Sequence, residues 1–157
     1  RTKDHYEKLW YAVNSSLVSI IGSDHAPHTK EEKNNNYPLS PSGMPGVQTL
    51  LPIMLNHVNN NKLKLKQLIE LVCENPCKIF GIKNKGYIKE GYDADLTIVN
   101  MKKETILKND WIQSKCGWTP FNNYKIKGFP VATIVNGEII MANNKILSRA
   151  LGKPLTF

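Results

Sequence analysis

The sequence predicts an α/β fold in two parts, a helix-rich part over residues 1–81 and a mainly β part over residues 82–157. In the first part, an apolar β-branched run over residues 17–23 lies between segments with helical periodicity. In the second part, short alternating segments separated by turn residues replace the helical pattern. The first part therefore matches the closing units of a (β/α)8 TIM barrel, and the second a small β-sandwich-like module.

Helical periodicity and helix breakers define the elements of the first part. Apolar residues recur with a helical period in three segments, and Pro52 is expected to kink or perturb the second of them. A proline can also start a short final helix before Gly81. The predicted elements are a helix over 4–14, a strand over 17–23, a polar loop over 24–45, helices over 46–58 and 65–73, and a short helix over 76–80.

Alternating apolar residues and turn pairs define the second part. Asn136-Gly137 is typical of a two-residue hairpin turn, and Asn143-Asn144 predicts a further turn. A small antiparallel sheet is expected from these signals. The predicted strands cover residues 86–91, 94–99, 125–127, 131–135, 138–141 and 145–147.

Length and composition exclude several classes of protein. At 157 residues the chain is shorter than the ~250 residues of a typical (β/α)8 barrel, so we expect it to begin inside a longer polypeptide. Its net charge of +8 comes mainly from scattered lysines, which argues against nucleic-acid binding. No apolar run approaches the ~20 residues of a membrane span, and no targeting segment is visible, so a cytoplasmic location is expected.

The strongest chemical signal follows the predicted strand over 17–23. Asp24 comes at its carboxyl end, where (β/α) barrels carry catalytic groups, and Pro27 stiffens the loop that leads to His28. An isolated Asp after a strand usually caps a turn, but the spacing to His28 and Lys33 favours a catalytic role. His28 can alternatively be a loop hydrogen-bonding residue, and Lys33 is expected to form a salt bridge or order the loop.

Other ionisable pairs have simpler interpretations. Asp93 and Asp95 flank a predicted strand entry, so we expect a role in the turn. Cys73 and Cys77 lie on one helix face, but no second pair of ligands at suitable spacing supports a zinc site. With only three cysteines, the chain is expected to carry buried thiols in a reducing compartment.

The run Gly22-Ser-Asp-His-Ala-Pro-His28, followed by Lys33, resembles the second signature of dihydroorotases, enzymes of the amidohydrolase superfamily. The resemblance extends along most of the chain. Further matching segments are Pro41–Thr49, Glu74–Gly81, Gly91–Val99, Trp118–Phe121 and Lys127–Gly137. The later segments are shared with hydantoinases and allantoinases, whereas the Asp-His-Ala-Pro-His run is more discriminating.

The resemblance implies zinc-dependent, reversible cyclisation of N-carbamoyl-L-aspartate to L-dihydroorotate in pyrimidine biosynthesis. It assigns Asp24 as the metal ligand and catalytic acid/base, and His28 as a substrate-binding residue. It gives His25 no ligand role. The main chain at Pro45 and Gly46 is expected to contact the substrate, with a helix start at Gly46 offering free N–H groups.

The resemblance also implies that this chain is the C-terminal part of the enzyme. The remaining zinc ligands lie upstream in the family, and a catalytic zinc usually needs about three protein ligands. The chain is therefore expected to be inactive without the upstream half. A homo-oligomer or an aspartate transcarbamoylase is a candidate partner. Two alternatives remain open: a non-catalytic dihydroorotase-like scaffold that binds a partner enzyme, and a hydantoinase- or allantoinase-type cyclic amidohydrolase.

Overall fold

A computed structural model describes residues 2–148 and 152–157 and shows an α/β chain. Its residues form two compact units, each assembled from separate stretches of the sequence. One unit combines the described residues within 1–21, 60–99 and 130–157, and the other combines residues 22–59 and 100–129. The division at residues 81/82 that the sequence suggests stays a prediction.

Among the described residues, the α-helices come first in the chain and the strands follow. The helices are α1 (Lys3–Asn14), α2 (Lys30–Lys33), α3 (Leu50–Asn59), α4 (Leu65–Ile69) and α5 (Asn75–Phe80), with a π-helical segment (Glu70–Glu74) and a 3₁₀ turn (Asn109–Trp111). The strands are β1 (Leu96–Ile106), β2 (Lys125–Val135), β3 (Glu138–Ala142) and β4 (Lys145–Ile146). No helix among the described residues is long and apolar enough to cross a membrane.

Helix α1 confirms the predicted amphipathic helix but buries none of its residues. Thr2 is its N-cap, and the Thr2 N–H donates to Nδ1 of His5 at 3.3 Å. On the apolar stripe, Tyr6 is 56% exposed and Leu9 is 48% exposed. The apolar face of α1 is therefore formed as the sequence predicts, but much of it is accessible to solvent.

The strand predicted over residues 17–23 is wrong. These residues belong to no strand, and their main chain bonds to helical residues instead. The Ile21 N–H donates to the carbonyl of Leu71 at 3.1 Å, and the Asn75 side-chain amide donates to the carbonyl of Ser19 at 2.9 Å. A buried parallel strand needs a neighbouring strand on each side, and no described element pairs with this segment.

Two proline positions differ from the sequence prediction. Helix α3 begins at Leu50 and not at Gly46, so Pro52 lies in the first turn, where its missing N–H would have no helical partner. Pro52 therefore causes no break within α3, which starts four residues later than predicted. The predicted break between the helices over 65–73 and 76–80 is wrong, because α4 continues through the wider π-helical turn into α5. The short helix predicted to start at Pro76 is confirmed, since Pro76 lies in the first turn of α5, which ends at Phe80. Gly81 then ends α5 with a φ of 68°.

The β elements form a four-stranded sheet in the order β1-β2-β3-β4. Strands β2 and β3 pair antiparallel across Asn136-Gly137, which confirms the predicted hairpin, and an irregularity follows Thr133. Strand β2 joins the two short strands predicted over 125–127 and 131–135. The strand predicted over 86–91 is wrong, since these residues form turns and bends.

Each unit has its own buried apolar residues. In the unit containing residues 22–59, Leu107, Ile126 and Phe129 form the core, and the rings of Trp111 and Phe129 lie 5.3 Å apart. In the other unit the buried side chains include those of Leu63, Leu68 and Leu71. The first of these cores lies in the same unit as the Asp24 segment, which carries the strongest chemical signal in the sequence.

Candidate active site

Two segments, residues 23–28 and residues 43–47, lie side by side in one unit. Their main chains meet at an isolated parallel bridge between His25 and Met44. The Ala26 N–H donates to the carbonyl of Met44 at 2.9 Å. The structure therefore brings the Asp24 motif and the Pro45-Gly46 loop together, as expected if both serve one site.

Two glycines make this close approach possible. A Cβ at Gly46 would lie far inside van der Waals contact with the carbonyl oxygen of Ser23. A Cβ at Gly43 would lie 2.6 Å from the Cβ of Ala26, and Gly43 has a φ of 99°, which favours glycine. No larger residue fits at either position unless one of the segments moves.

Asp24 is held in an unusual backbone conformation. Its φ is 43°, in the left-handed region that residues other than glycine rarely occupy. The residue is exposed, and its carboxylate has no hydrogen-bond or ion-pair partner among the described residues. Strained backbone tends to persist at functional sites. The Asp24 carboxylate is exposed and accepts no main-chain N–H from the described residues, so Asp24 does not cap the turn.

His25 connects the two segments through its side chain. Nδ1 of His25 accepts a hydrogen bond from the Gly46 N–H at 3.1 Å and a weaker one from the Val47 N–H at 3.4 Å. The expectation of free N–H groups at Gly46 is therefore wrong, because His25 occupies them. This role of His25 was missed, and sequence spacing carries no signal for it.

His28 lies at the end of the motif and is anchored mainly through its backbone. Its carbonyl accepts a hydrogen bond from Nε1 of Trp118 at 2.7 Å. Its Nδ1 lies 3.4 Å from the carboxylate of Glu32, and its side chain is 37% exposed. Glu32 also accepts the Thr29 N–H in the capping box of α2. The imidazole of His28 remains accessible, and the loop around it is well ordered by these contacts.

Lys33 was predicted either to form a salt bridge or to order the loop, and the structure confirms the second role. Its ammonium group donates to the carbonyl of Pro41 at 2.6 Å and to the carbonyl of Gly43 at 3.2 Å. The carbonyl of Lys33 in turn accepts the Ser40 hydroxyl at 3.0 Å. Lys33 therefore holds residues 40–43 close to α2, which places the segment that follows beside the Asp24 motif.

An open cleft lies next to these segments. Gln48 lies at its edge, where its side chain donates to the carbonyl of Trp111 at 2.9 Å and accepts the Gln113 N–H at 2.8 Å. The lining residues are His25, Pro45, Val47, Gln48, Ile112, Gln113 and Ser114. Pro45 thus reaches the cleft, whereas Asp24, His28 and the buried Gly46 do not line it.

The described residues do not form a complete metal site by themselves. Within residues 2–148 and 152–157, no group of three or more His, Cys, Asp or Glu side chains is arranged to hold a metal ion. Asp24 offers carboxylate oxygens, which suit zinc as well as harder divalent cations. Asp24 could therefore supply one ligand of a divalent ion, which by itself is not a complete site.

The contacts of Asp93 and Asp95 confirm the predicted role of this pair in the turn. Lys85 bridges both carboxylates, at 3.0 Å from Asp93 and in a short contact with Asp95. Asp95 also accepts the Asn136 N–H at 2.8 Å. The hydrogen bond from Lys85 and that from the Asn136 N–H hold the pKa of Asp95 below its usual value, and the Asp95 carboxylate raises the pKa of Lys85. The pair fastens residues 84–95 to the β2–β3 turn.

The cysteines correspond only partly to the expectation of buried thiols. Cys116 is buried and Cys77 is half-buried, but Cys73 is exposed. Partial desolvation, followed by the proximity of Cys77 and Glu74, nevertheless raises the pKa of the Cys73 thiol. The neutral thiol of Cys73 is therefore favoured over its thiolate.

Relatives named dihydroorotase match this chain along most of its length. A dihydroorotase from Pyrococcus furiosus is 40% identical over 153 residues, which are 98% of this chain and 35% of that protein. A dihydroorotase from Methanosphaera stadtmanae is 45% identical over 133 residues, or 85% of this chain and 31% of that protein. The chain spans about a third of the length of these curated relatives.

Solved structures and a family model agree with these relatives. L-Hydantoinase (dihydropyrimidinase) from Arthrobacter aurescens matches with a TM-score of 0.86 and 31% identity, over 94% of this chain and 34% of that chain. A dihydropyrimidinase from Brevibacillus agri matches with a TM-score of 0.87 at 23% identity, over 94% of this chain and 33% of that one, which shows the fold alone. The model of the amidohydrolase family matches residues 1–140. This chain belongs to the amidohydrolase family.

Proposed function

We propose that this chain is the C-terminal part of a dihydroorotase that reversibly cyclises N-carbamoyl-L-aspartate to L-dihydroorotate in pyrimidine biosynthesis. The relatives that support this activity carry the name dihydroorotase and match nearly the whole chain. The structural observation that carries the proposal is Asp24, an exposed carboxylate at a left-handed backbone position with no partner among the described residues.

Asp24 is assigned two roles in this reaction. Its carboxylate is one ligand of a divalent metal ion, for which the dihydroorotase resemblance favours zinc. A bound ion would supply Lewis-acid activation of the ring amide carbonyl. In ring opening, the Asp24 carboxylate would take a proton from the attacking water and deliver it to the ring nitrogen as the bond between that nitrogen and the carbonyl carbon breaks; in ring closure it would take the proton from the attacking nitrogen and return it to the departing water. A side chain already held by neighbouring residues would be poorly suited to either task.

The substrate is assigned to residues beside Asp24. His28 is proposed to bind the free carboxylate of the substrate, which an accessible imidazole can do. The main chain of Pro45 and Gly46 is proposed to contact the substrate from the adjoining loop. The cleft at Pro45 and the close packing at Gly46 support this arrangement, because both positions lie against the segment that carries Asp24.

The proposed architecture follows from the same resemblance. Residues 1–81 are assigned to the closing units of the metal-dependent-hydrolase barrel, and residues 82–157 to a C-terminal β-sandwich-like module. The upstream half of the enzyme is proposed to supply the other metal ligands and the neighbouring barrel strands. Two features support this proposal. The apolar stripe on α1 is exposed, and residues 17–23 have no neighbouring strand among the described residues, so both would gain packing partners from the upstream half.

The direct test is Asp24→Asn in the complete enzyme. We expect the variant to remain folded, because Asp24 has no side-chain partner among the described residues, and to lose at least about 100-fold in turnover, as removal of an acid/base group does. Asp110→Asn is the matched control, since Asp110 is likewise exposed and has no described partner. Undiminished turnover of Asp24→Asn would refute the assignment.

A hydantoinase-type cyclic amidohydrolase is the second candidate. It is favoured by the match to the L-hydantoinase from Arthrobacter aurescens, at 31% identity. Assays of the complete protein on hydantoin, allantoin and dihydroorotate distinguish the two, and turnover of dihydroorotate alone supports the first proposal. Inactivity on all three substrates, in a protein that lacks the upstream ligands, would instead indicate a non-catalytic scaffold that binds a partner such as aspartate transcarbamoylase.

A further inference from the structure

His25 follows the catalytic candidate Asp24 in the sequence and is hydrogen-bonded to the loop that contains Pro45 and Gly46. Its ring lines the same cleft as Pro45, and its Nδ1 accepts the N–H groups of Gly46 and Val47. An unprotonated Nδ1 is required to accept these bonds, so the proton of the neutral ring is on Nε2. The contact therefore selects one tautomer as well as one position of the ring.

The Gly46 N–H depends on this side chain. Gly46 is buried, and among the described residues its N–H has no acceptor other than His25. A buried N–H without an acceptor carries a desolvation penalty, so loss of the imidazole would favour movement of the loop. The Gly46 carbonyl is engaged separately, by the N–H groups of Thr49 and Leu50, which tie it to the start of α3.

Apart from the close packing of Gly46 on the Ser23 carbonyl, the other contacts between the two segments lie earlier in the loop. The Ala26 N–H bonds to Met44, and Gly43 packs against Ala26. These contacts fix the approach of residues 43 and 44 but place no donor or acceptor on residues 46 and 47. The His25 ring is thus the described side chain that sets the main-chain position at the cleft.

We propose that His25 is a positioning residue that holds the Pro45-Gly46 main chain in its substrate-binding position through Nδ1. The kinetic part of this inference rests on the proposed function. The structural part concerns only the hydrogen bond between His25 and Gly46, and it can be tested without any assay of activity.

Two matched variants of the complete enzyme test whether the acceptor atom of residue 25 must occupy the position of Nδ1, or whether any polar side chain suffices. In His25→Asn the side-chain oxygen occupies nearly the place of Nδ1, whereas in His25→Gln the amide lies one bond farther out. We expect His25→Gln to raise KM by about tenfold with a smaller change in kcat, because one hydrogen bond that orders the binding loop is lost. We expect His25→Asn to stay within about threefold of the wild type.

The second readout is hydrogen exchange at the Gly46 amide, followed by NMR or mass spectrometry. Exchange should be faster in His25→Gln than in His25→Asn, which should resemble the wild type. Nitrogen chemical shifts of the neutral wild-type ring should show an unprotonated Nδ1, as the two hydrogen bonds that it accepts require. This third measurement requires no variant and holds even if a variant fails to fold.

Each outcome bears on the inference. Equal Gly46 exchange in the two variants, or a proton on Nδ1 in the wild type, would overturn it. Exchange that follows the prediction in a protein without dihydroorotase activity would support the His25 contact and refute the proposed function instead. Exchange that follows the prediction while KM stays unchanged in both variants would show that the contact does not position the substrate, and the inference would fail.

Discussion

The indole N–H of Trp118 donates a hydrogen bond to the carbonyl of His28, across 90 positions of the sequence, at 2.7 Å. Both residues belong to segments that the sequence marks by separate motifs. The bond fixes the main chain of the proposed substrate-binding histidine while leaving its imidazole accessible. Trp118 is therefore part of the support of the candidate site, although it does not line the cleft.

Trp118→Phe tests this support. Phenylalanine keeps an aromatic ring but removes the donor, so we expect about 1 kcal/mol lower free energy of unfolding and a several-fold higher KM for dihydroorotate. Chemical denaturation and steady-state kinetics of the complete enzyme measure the two effects. Trp111→Phe is the control, because the Trp111 indole N–H has no described hydrogen bond and its ring packs on Phe129. An equal rise in KM for both variants would contradict the role of Trp118.

Gly46→Ala tests the close approach of the two loop segments. A Cβ at this position collides with the carbonyl of Ser23, which is backbone and cannot turn away as a flexible side chain can. We expect the free energy of unfolding to fall by about 1–3 kcal/mol, as in overpacked sites, and turnover to fall as Asp24 is displaced. Thermal unfolding and kinetics provide the readouts.

Gly22→Ala is the matched control for this substitution. A Cβ at Gly22 would meet no heavy atom within 4 Å, so stability should change by less than about 0.5 kcal/mol. A Gly46→Ala variant as stable and active as Gly22→Ala would show that the described approach of Ser23 and Gly46 is not maintained in solution.

Asp95→Asn tests the contact between residues 84–95 and the β2–β3 turn through its pH dependence. The pKa of Asp95 is lowered in the folded state by Lys85 and the Asn136 N–H, so its charge stabilises the fold above the ordinary pKa of 3.8. This stabilisation is lost as the pH falls through the lowered pKa. The wild type should therefore melt above Asp95→Asn at neutral pH, and the two melting temperatures should converge in strong acid.

Melting curves recorded from neutral to acidic pH measure this convergence. Asp110→Asn provides the control, since the Asp110 carboxylate has no described partner and its replacement should leave the melting temperature at neutral pH nearly unchanged. A gap between wild type and Asp95→Asn that stays constant into strong acid would show that the charge of Asp95 is not what stabilises the turn.

Local chemistry explains which elements could be predicted. Asn136-Gly137 forms the predicted hairpin because both residues adopt positive φ, which this turn requires and these residue types tolerate. Helix α1 follows its apolar period for a similarly local reason. In contrast, residues 17–23 have a strand-like composition but form no strand, since β structure depends on partners that the local sequence does not contain.

The sequence also indicated which residues belong to the candidate site, but it did not predict the hydrogen bonds that these residues form. The spacing of Asp24, His28 and Lys33 indicated one functional loop, and the loop-ordering role of Lys33 is confirmed. The bond from Gly46 to His25 was not predicted, because no spacing rule relates a side-chain nitrogen to an amide 21 residues away. The support of His28 by Trp118 was missed for the same reason.

The sequence by itself determined the family resemblance, the helical periods, the turns and the choice of Asp24 as the candidate catalytic residue. Each of these depends on residues that are near one another in the chain. Only the tertiary structure decided which main-chain groups are already occupied. The His25 ring takes the amides at residues 46 and 47, and two glycines allow the loops to touch. Hydrogen bonds and close packing act across space, so residues far apart in sequence became neighbours only through folding.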